Sequence, residues 1–161
     1  MFLGIFMVNH VTAYKPKDIF SVDQPKSKQK LRYASSERAA LGLEPQEEDI
    51  QKQVFEECYY IRFKGYRVSE IIRHIPNGGN RSKSEGANFK KMGVIAGTPD
   101  WLLPVPSQGY GSLYIEQKTK TGRVRPEQKV QMKLLEEMGN KVVVSRTVAE
   151  TIKEIKSYLG L

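Results

Sequence analysis

Two acidic residues and one lysine have the spacing of a catalytic site built on neighbouring strands. Asp100 follows a Gly-Thr-Pro sequence and precedes an apolar run of strand length, and a second such run leads into Glu116 and Lys118. Because side chains on a strand alternate between its faces, Glu116 and Lys118 project from one face and Gln117 from the other. If the two runs pair as a hairpin, Asp100 at the start of the partner strand faces Glu116 and Lys118.

This set of side chains suits metal-dependent hydrolysis of a phosphodiester bond. Mg²⁺ prefers oxygen ligands and usually takes only one or two protein carboxylates, which leaves positions for water and a phosphate oxygen. The metal lowers the pKa of bound water and neutralises charge on the phosphate, while a nearby ammonium group can hold the attacking water. An E-x-K triplet on a strand is also a common surface ion pair, so the triplet needs support from the rest of the chain.

The segments around these residues predict alternating helices and strands. Apolar residues at helical spacing indicate an amphipathic helix over about residues 47–64. Alternating apolar residues predict a strand over residues 66–75, and a short helix that ends at a glycine follows over residues 84–92. The remaining predicted elements are hairpin strands at residues 101–105 and 112–115, a helix at 126–138, a strand at 141–145, and a final helix that begins after Thr147 with a capping box. The helix at 126–138 carries an apolar stripe of Val130, Leu134, Leu135 and Met138.

Several short motifs, taken in chain order, resemble those of the VRR-NUC nucleases, a branch of the PD-(D/E)XK superfamily. They are Glu47-Glu48-Asp49-Ile50-Gln51, Asn77-Gly78-Gly79-Asn80-Arg81, Lys91-Met92-Gly93, Gly97-Thr98-Pro99-Asp100, Tyr114-Ile115-Glu116-Gln117-Lys118-Thr119, Gly122-Arg123 and Pro126-Glu127-Gln128. The resemblance extends from about residue 47 to residue 159. It implies an α/β fold with the restriction-endonuclease-like PD-(D/E)XK core (αβββαβ), in which a mixed central sheet is flanked by helices.

The resemblance also implies the catalytic residues and the cofactor. Asp100, Glu116 and Lys118 match the catalytic motif of the family, and Gln128 on the following helix would support the site. The cofactor would be Mg²⁺ or Mn²⁺. Its ligands would be Asp100, Glu116, the backbone carbonyl of Gln117 and an upstream glutamate.

Two adjacent glutamates are candidates for the upstream ligand. The spacing of the family motif favours Glu47, but Glu48 is adjacent and stays an alternative.

Two residues depart from the usual family pattern. Gln117 stands where an apolar residue usually faces the core, and a buried glutamine without hydrogen-bond partners costs roughly 1–3 kcal/mol. Arg125 stands where a serine often caps the next helix, although Pro126 at the first helical position suits a helix start.

The charge of the chain favours a polyanionic partner. Its 161 residues carry a formal net charge of +8, and the isoelectric point is about 9.5. Such charge supplies most of the sequence-independent affinity for phosphate backbones. The residues predicted to contact DNA are Arg81, Lys83, Lys120, Arg123 and Arg125.

One nuclease domain at residues 46–161 preceded by a basic arm at residues 1–45 is the simplest division of the chain. The arm is rich in Lys, Gln, Ser and Pro, and both a DNA-contacting arm and an unstructured leader fit that composition. The apolar residues 1–8 are too short to cross a bilayer. A single cysteine, Cys58, excludes an intramolecular disulfide and fits a reducing compartment. We therefore expect no membrane partner and a location in the cytoplasm of a bacterium or of a phage-infected host cell.

Sequence and resemblance together predict a metal-dependent DNA endonuclease. Small stand-alone relatives resemble homodimers that cut branched DNA such as four-way (Holliday) junctions, so a homodimer acting on branched DNA is the first expectation. A flap or linear-DNA nuclease of the same fold is an alternative, and so is a non-catalytic DNA-binding protein that keeps the fold.

Overall fold

The first residue of the first helix lies at the edge of the candidate site. In the computed structural model, which describes residues 45–76 and 83–161 and of residues 83–85 only the backbone, α1 spans Glu47–Tyr60. It buries an apolar stripe of Ile50, Val54 and Cys58. The helix ends before the predicted residue 64, because a tight turn and a hairpin follow directly. The predicted arm at residues 1–45 lies, apart from residue 45, outside the described residues, as does Arg81.

A two-stranded hairpin follows α1. Strands β1 (Arg62–Phe63) and β2 (Tyr66–Arg67) pair antiparallel, and Phe63 is opposite Tyr66. Lys64 and Gly65 between them have φ angles of 50° and 88°. Two central residues with positive φ are typical of a type I′ turn, whose twist matches that of a hairpin.

The predicted strand over residues 66–75 is wrong as a continuous element. A single helical turn, α2 (Val68–Ile71), separates β2 from the short strand β3 (Arg73–His74). Val68 and Ile72 are both buried, and their spacing of four residues suits a helical turn as well as a strand. The side chain of Glu70 accepts a hydrogen bond from the Arg67 N–H at 2.7 Å and so caps the turn.

Four strands form the central sheet in the order β3-β4-β5-β6. The further three strands are β4 (Trp101–Leu103), β5 (Leu113–Gln117) and β6 (Lys141–Ser145). The first two pairings are antiparallel and β5 pairs with β6 in parallel. The sheet is therefore mixed, and the predicted hairpin of β4 and β5 is confirmed.

Three further helices complete the fold. They are α3 (Lys83–Lys91), α4 (Pro126–Glu137) and α5 (Val148–Leu159). The side chain of Thr147 caps α5 by accepting from the Glu150 N–H at 3.1 Å. Left-handed glycines end two of these helices as predicted, since Gly93 follows α3 and Gly139 follows α4, with φ angles of 86° and 81°. With α1, three central strands, α4 and β6 in that order, the chain has the predicted restriction-endonuclease-like core.

The main core lies between one face of the sheet and the helices α1 and α5. Its apolar members are largely strand and helix residues that are at most 8% exposed. They include Trp101, Leu103, Leu113, Ile115 and Ile155. Cys58 belongs to this core, and burial, helped by the charge of Glu57, raises the pKa of its thiol to about 12. A protonated, enclosed thiol is not a nucleophile.

The apolar stripe predicted on α4 does not enter the core. Val130, Leu134 and Met138 are 66%, 44% and 67% exposed, and Gln128 is the only fully buried residue of this helix. No helix in residues 45–76 and 83–161 is long and apolar enough to cross a membrane.

Candidate active site

The register of β4 and β5 brings Asp100 to Glu116. Trp101 is opposite Ile115 in this antiparallel pair, so the same register places Asp100, one residue earlier, opposite Glu116, one residue later. The Gln117 N–H donates a hydrogen bond of 2.8 Å to Asp100 Oδ2. Asp100 is only 8% exposed. One carboxylate at the start of β4 is thus fixed against the end of β5.

Glu116 is a fully buried carboxyl group with one oxygen in use and one oxygen free. Its Oε1 accepts hydrogen bonds from Lys118 Nζ and from Gln128 Nε2. Its Oε2 has no partner, and among the buried side-chain polar atoms of the described residues only the indole nitrogen of Trp101 shares that condition. Buried polar atoms without a partner are rare in folded proteins and call for an explanation.

Lys118 uses all three of its donors inside the site. Nζ contacts Glu116 Oε1, donates to the backbone carbonyl of Gln117 at 2.8 Å, and lies 3.3 Å from both carboxylate oxygens of Glu47. An ammonium group has three protons. The two contacts to Glu47 are the longest of the set.

Of the two candidate glutamates at the start of α1, the structure brings Glu47 to this cluster. Glu47 contacts Lys118 and its side chain is 39% exposed. Glu48 is 71% exposed and forms an ion pair with Lys52 one helical turn further along. Glu48 therefore points away from the site in this structure.

Burial shifts the pKa values of the two carboxylic acids upward. For Asp100, burial outweighs the hydrogen bond from Gln117 and the charge of Lys118, which lower its pKa. For Glu116, burial raises the pKa to about 7; the charges of Asp100 and Glu47 add to the rise and Lys118 opposes it. Burial alone would lower the pKa of Lys118, but the bond to Glu116 and the surrounding carboxylates outweigh burial, and its pKa is raised. Burial thus favours the protonated form of both carboxyl groups, and Lys118 only partly opposes it.

Gln128 links the start of α4 to the buried carboxyl group. Its Oε1 accepts from the Arg125 N–H at 2.9 Å, which supplies the cap that the sequence lacks at Arg125. Its Nε2 donates to Glu116. Only an amide can accept at one end and donate at the other, so glutamine suits this position better than glutamate.

The side chain of Gln117 finds partners on the opposite face of β5. Its Nε2 donates to the Ser145 carbonyl at 3.1 Å, and its Oε1 accepts from the Thr151 hydroxyl at 2.8 Å. The Ser145 and Thr151 hydroxyl groups are 2.6 Å apart. The hydrogen-bonding groups of the buried Gln117 side chain thus have partners. These bonds also hold the Gln117 backbone, whose N–H contacts Asp100 and whose carbonyl contacts Lys118.

The loop before Asp100 packs tightly against the start of α4. A Cβ atom at Gly97 would lie 2.6 Å from the Glu127 carbonyl oxygen, and the φ angle of Gly97 is +84°. A small cavity of about 80 Å³ opens beside this contact and is lined by Glu47, Asp100 and Gln128 among others. It is large enough for several water molecules.

We predict that Gly97→Ala lowers the free energy of unfolding much more than Gly109→Ala. Gly109 has the same φ of +84° but nothing within 4 Å of its would-be Cβ, so its replacement costs only the left-handed strain of about 1–2 kcal/mol. Gly97→Ala adds a backbone clash, and we expect a total loss of at least about 3 kcal/mol. Urea unfolding of both variants measures the difference, and equal losses would contradict the close packing at Gly97.

The oxygen donors of this cluster fit a hard divalent cation, and of them Asp100 lines the cavity. Asp100, the unpaired Glu116 Oε2 and the Gln117 carbonyl offer two carboxylates and one carbonyl, which is the set that Mg²⁺ or Mn²⁺ accepts. The described residues contain no group of three or more His, Cys, Asp or Glu side chains arranged to hold a metal. A metal here therefore depends on two carboxylates and a backbone oxygen, and Glu47 is engaged with Lys118.

Three of the predicted DNA-contacting residues are described, and one of them lies at the site. Lys120, Arg123 and Arg125 are exposed, and Arg125 lines the cavity. Arg81 lies outside the described residues, and α3 begins at Lys83, of whose side chain nothing is described.

Sequence reasoning missed Arg146, which organises the loop that carries Lys120. The Arg146 Nη1 atom donates to three backbone carbonyls, those of Thr119, Lys120 and Gly122, at 2.8, 3.2 and 2.8 Å. Arg146 follows β6, and nothing in the sequence around it indicates that its side chain binds the backbone of a loop more than twenty residues upstream.

Comparison with known proteins finds similarity among solved structures. The chain matches no protein-family model and no curated protein sequence. Among solved structures it is similar to a VRR_NUC domain protein, with a TM-score of 0.66 and 30% sequence identity. The match covers 73% of this chain and 90% of the other.

Proposed function

The chain belongs to the VRR-NUC domain family, whose fold is of nuclease type, and on this premise we propose that it is a metal-dependent DNA endonuclease that hydrolyses phosphodiester bonds. The observation that carries the proposal is the unpaired, fully buried Oε2 of Glu116. It lies in a cluster with Asp100 and a buried lysine, where a cation would remove an otherwise unexplained cost.

Asp100, Glu116 and the Gln117 carbonyl would hold Mg²⁺ or Mn²⁺. When bound, the ion would lower the pKa of a water molecule and neutralise charge that develops on the phosphate. The protein would contribute rigidity, since Asp100 is held by the Gln117 N–H and Glu116 by Gln128. Ligands held in place in advance need no rearrangement as charge develops.

Lys118 would hold the attacking water or a phosphate oxygen. Its contacts to Glu116 and to the Gln117 carbonyl fix the ammonium group, while the 3.3 Å contacts to Glu47 are long enough to exchange for a substrate oxygen. Glu47 would then balance the charge of the ammonium in the free enzyme. In this role Glu47 pairs with Lys118 in the free enzyme, and it would become a metal ligand only if that contact were released.

Three exposed cations that follow Lys118 in the chain would bind the DNA backbone. Lys120, Arg123 and Arg125 are all exposed, and phosphate contacts of this kind position a duplex without reading its sequence. Selectivity would come from the shape of the substrate, and a branched substrate such as a four-way junction is the first candidate.

We propose further that two copies assemble through the exposed face of α4. Val130, Leu134 and Met138 form a stripe along this helix, and Gln128 in the first turn of the same helix contacts Glu116 in the site. A two-fold dimer would place two sites at a fixed separation, as cutting of two strands requires.

We predict that the wild type has twice the 18.4 kDa chain mass in light scattering and that Leu134→Glu gives the single-chain mass, because a charge on the stripe would be buried in the dimer. Leu161→Glu is the matched control, since Leu161 is also exposed, at 59%, but lies just after α5 and not on the stripe of α4. A wild type with the single-chain mass, both with and without DNA, would contradict the dimer.

The experiment for the catalytic proposal is cleavage of labelled four-way junction, flap, linear duplex and single-stranded DNA with Mg²⁺, Mn²⁺ or EDTA. We expect metal-dependent cleavage that is strongest on the junction. Cleavage of the flap or of linear duplex alone would keep the site and change the substrate. Binding of DNA without cleavage of any of them would favour the non-catalytic alternative.

A further inference from the structure

We propose that the β1–β2 hairpin is a second DNA-contacting surface, which grips the backbone of the substrate duplex away from the cutting site. The inference rests on the proposed function, because it assumes that DNA is the substrate. The surface consists of the exposed residues Tyr60, Arg62, Lys64 and Tyr66, with Arg62 and Tyr66 on opposite faces of the hairpin and Lys64 at its tip. None of these residues is part of the candidate active site.

The first observation is the composition of this segment. Between Cys58 and Ser69 there are three cations and no acidic residue. Arg62 and Lys64 are exposed, and Tyr60 and Tyr66 are 52% and 50% exposed. Exposed tyrosines interleaved with cations are typical of surfaces that meet phosphate backbones, because the phenol can donate a hydrogen bond to a phosphate and the cations supply charge.

The second observation is that the hairpin is presented rigidly. The type I′ turn places Lys64 at the tip, and the Val68 N–H donates to the Ile61 carbonyl at 2.9 Å at the base. The guanidinium of Arg67 lies 3.7 Å from the centre of the Tyr59 ring and ties β2 to the end of α1. A surface that is ordered beforehand loses less entropy when it binds.

The third observation is its position. The candidate site lies at the first residue of α1, and the hairpin follows the last residue of this helix. The helix has 14 residues, so its length is about 20 Å. A duplex running from the site in that direction would reach the hairpin about six base pairs from the cut, at roughly 3.4 Å per base pair.

Three acidic residues flank the hairpin in the chain. Glu70 on α2 accepts a hydrogen bond from the Arg67 N–H, and Glu56 and Glu57 lie on the last turn of α1. Arg62 and Lys64 lie between these acidic residues in the chain, and the hairpin itself contains none.

The test is binding of a fluorescein-labelled 24-base-pair duplex and a four-way junction in EDTA, measured by anisotropy across a salt series. The variant is Arg62→Gln/Lys64→Asn, in which asparagine suits the positive φ of Lys64. The matched control is Lys153→Gln/Lys156→Gln, which removes two exposed charges on α5. Equal melting temperatures of the three proteins show that the fold is intact.

We expect the hairpin variant to bind both DNAs about tenfold more weakly near 0.1 M salt, with a salt slope shallower by about two, as loss of two phosphate contacts requires. Its cleavage rate at saturating DNA should equal that of the wild type, and the control pair should bind within twofold of the wild type. Equal losses in the two variants, or affinity of the hairpin variant within twofold of the wild type, would overturn the inference while leaving the proposed function standing. Wild-type protein that binds no DNA at all would instead overturn the proposed function, and the hairpin proposal with it.

Discussion

Replacing Lys118 by methionine should lower the rate of DNA cleavage at saturating substrate by about a thousandfold or more while DNA affinity changes little. A buried cation that stabilises developing charge is typically worth two to four orders of magnitude in rate. Methionine keeps much of the side-chain volume but leaves Glu116 without its cation. Single-turnover cleavage with excess enzyme measures the chemical step directly.

Lys120→Met is the matched control for this prediction. Lys120 is exposed two residues further along the chain, and loss of its charge should weaken DNA binding with little effect on the rate at saturation. A variant that loses DNA affinity but keeps its cleavage rate lacks a backbone contact, whereas a variant that keeps its affinity but loses its rate lacks a group needed in the chemical step. If Lys118→Met cleaved within tenfold of the wild type at saturation, Lys118 could not have the proposed role.

Stability of the metal-free protein should fall as the pH rises from about 4.5 to about 7. Burial raises the folded-state pKa of Glu116 from its ordinary value of 4.5 to about 7. In this pH range the folded protein therefore keeps a proton that the unfolded chain has already released. Unfolding then releases a proton, and the free energy of unfolding decreases with rising pH. For Glu116 alone the loss approaches about 3 kcal/mol. The raised pKa of Asp100 likewise makes the free energy of unfolding decrease with rising pH, over a lower pH range.

Urea unfolding in EDTA between pH 5 and pH 8 measures this dependence. Glu116→Gln, which cannot titrate, should flatten most of it above pH 5. Added Mg²⁺ should restore stability to the wild type at pH 8, because a ligand of the folded state alone stabilises that state. Rising stability of the metal-free wild type over this range would contradict the account of Glu116.

The core of the candidate site could be predicted from local pattern because it depends on short-range rules. Alternation along β5 places Glu116 and Lys118 on one face and Gln117 on the other, and the hairpin register brings Asp100 to them. The helix that carries Glu47 follows from the apolar spacing of α1. These features need only the period of a strand or a helix.

The features that the sequence could not predict depend on distant partners. The buried side chain of Gln117 is satisfied by Ser145 and Thr151, which are 28 and 34 residues away. The strand predicted at residues 66–75 is broken because Val68 and Ile72 are spaced for a helical turn as well as for a strand. The apolar stripe of α4 is exposed, and no periodicity distinguishes a stripe that packs in a core from one that faces solvent or a partner.

Binding of Mn²⁺, followed by electron paramagnetic resonance, tests the shared-metal site most directly. The comparison is between the wild type, Asp100→Asn, Glu116→Gln and the control Glu48→Gln, which removes a neighbouring carboxylate that pairs with Lys52. We predict that the wild type and Glu48→Gln bind Mn²⁺ with equal affinity and cleave DNA when it is added, and that Asp100→Asn and Glu116→Gln bind it at least tenfold more weakly and do not cleave. Equal Mn²⁺ affinity in all four proteins, or wild-type cleavage that persists in EDTA, would contradict a metal held by Asp100 and Glu116.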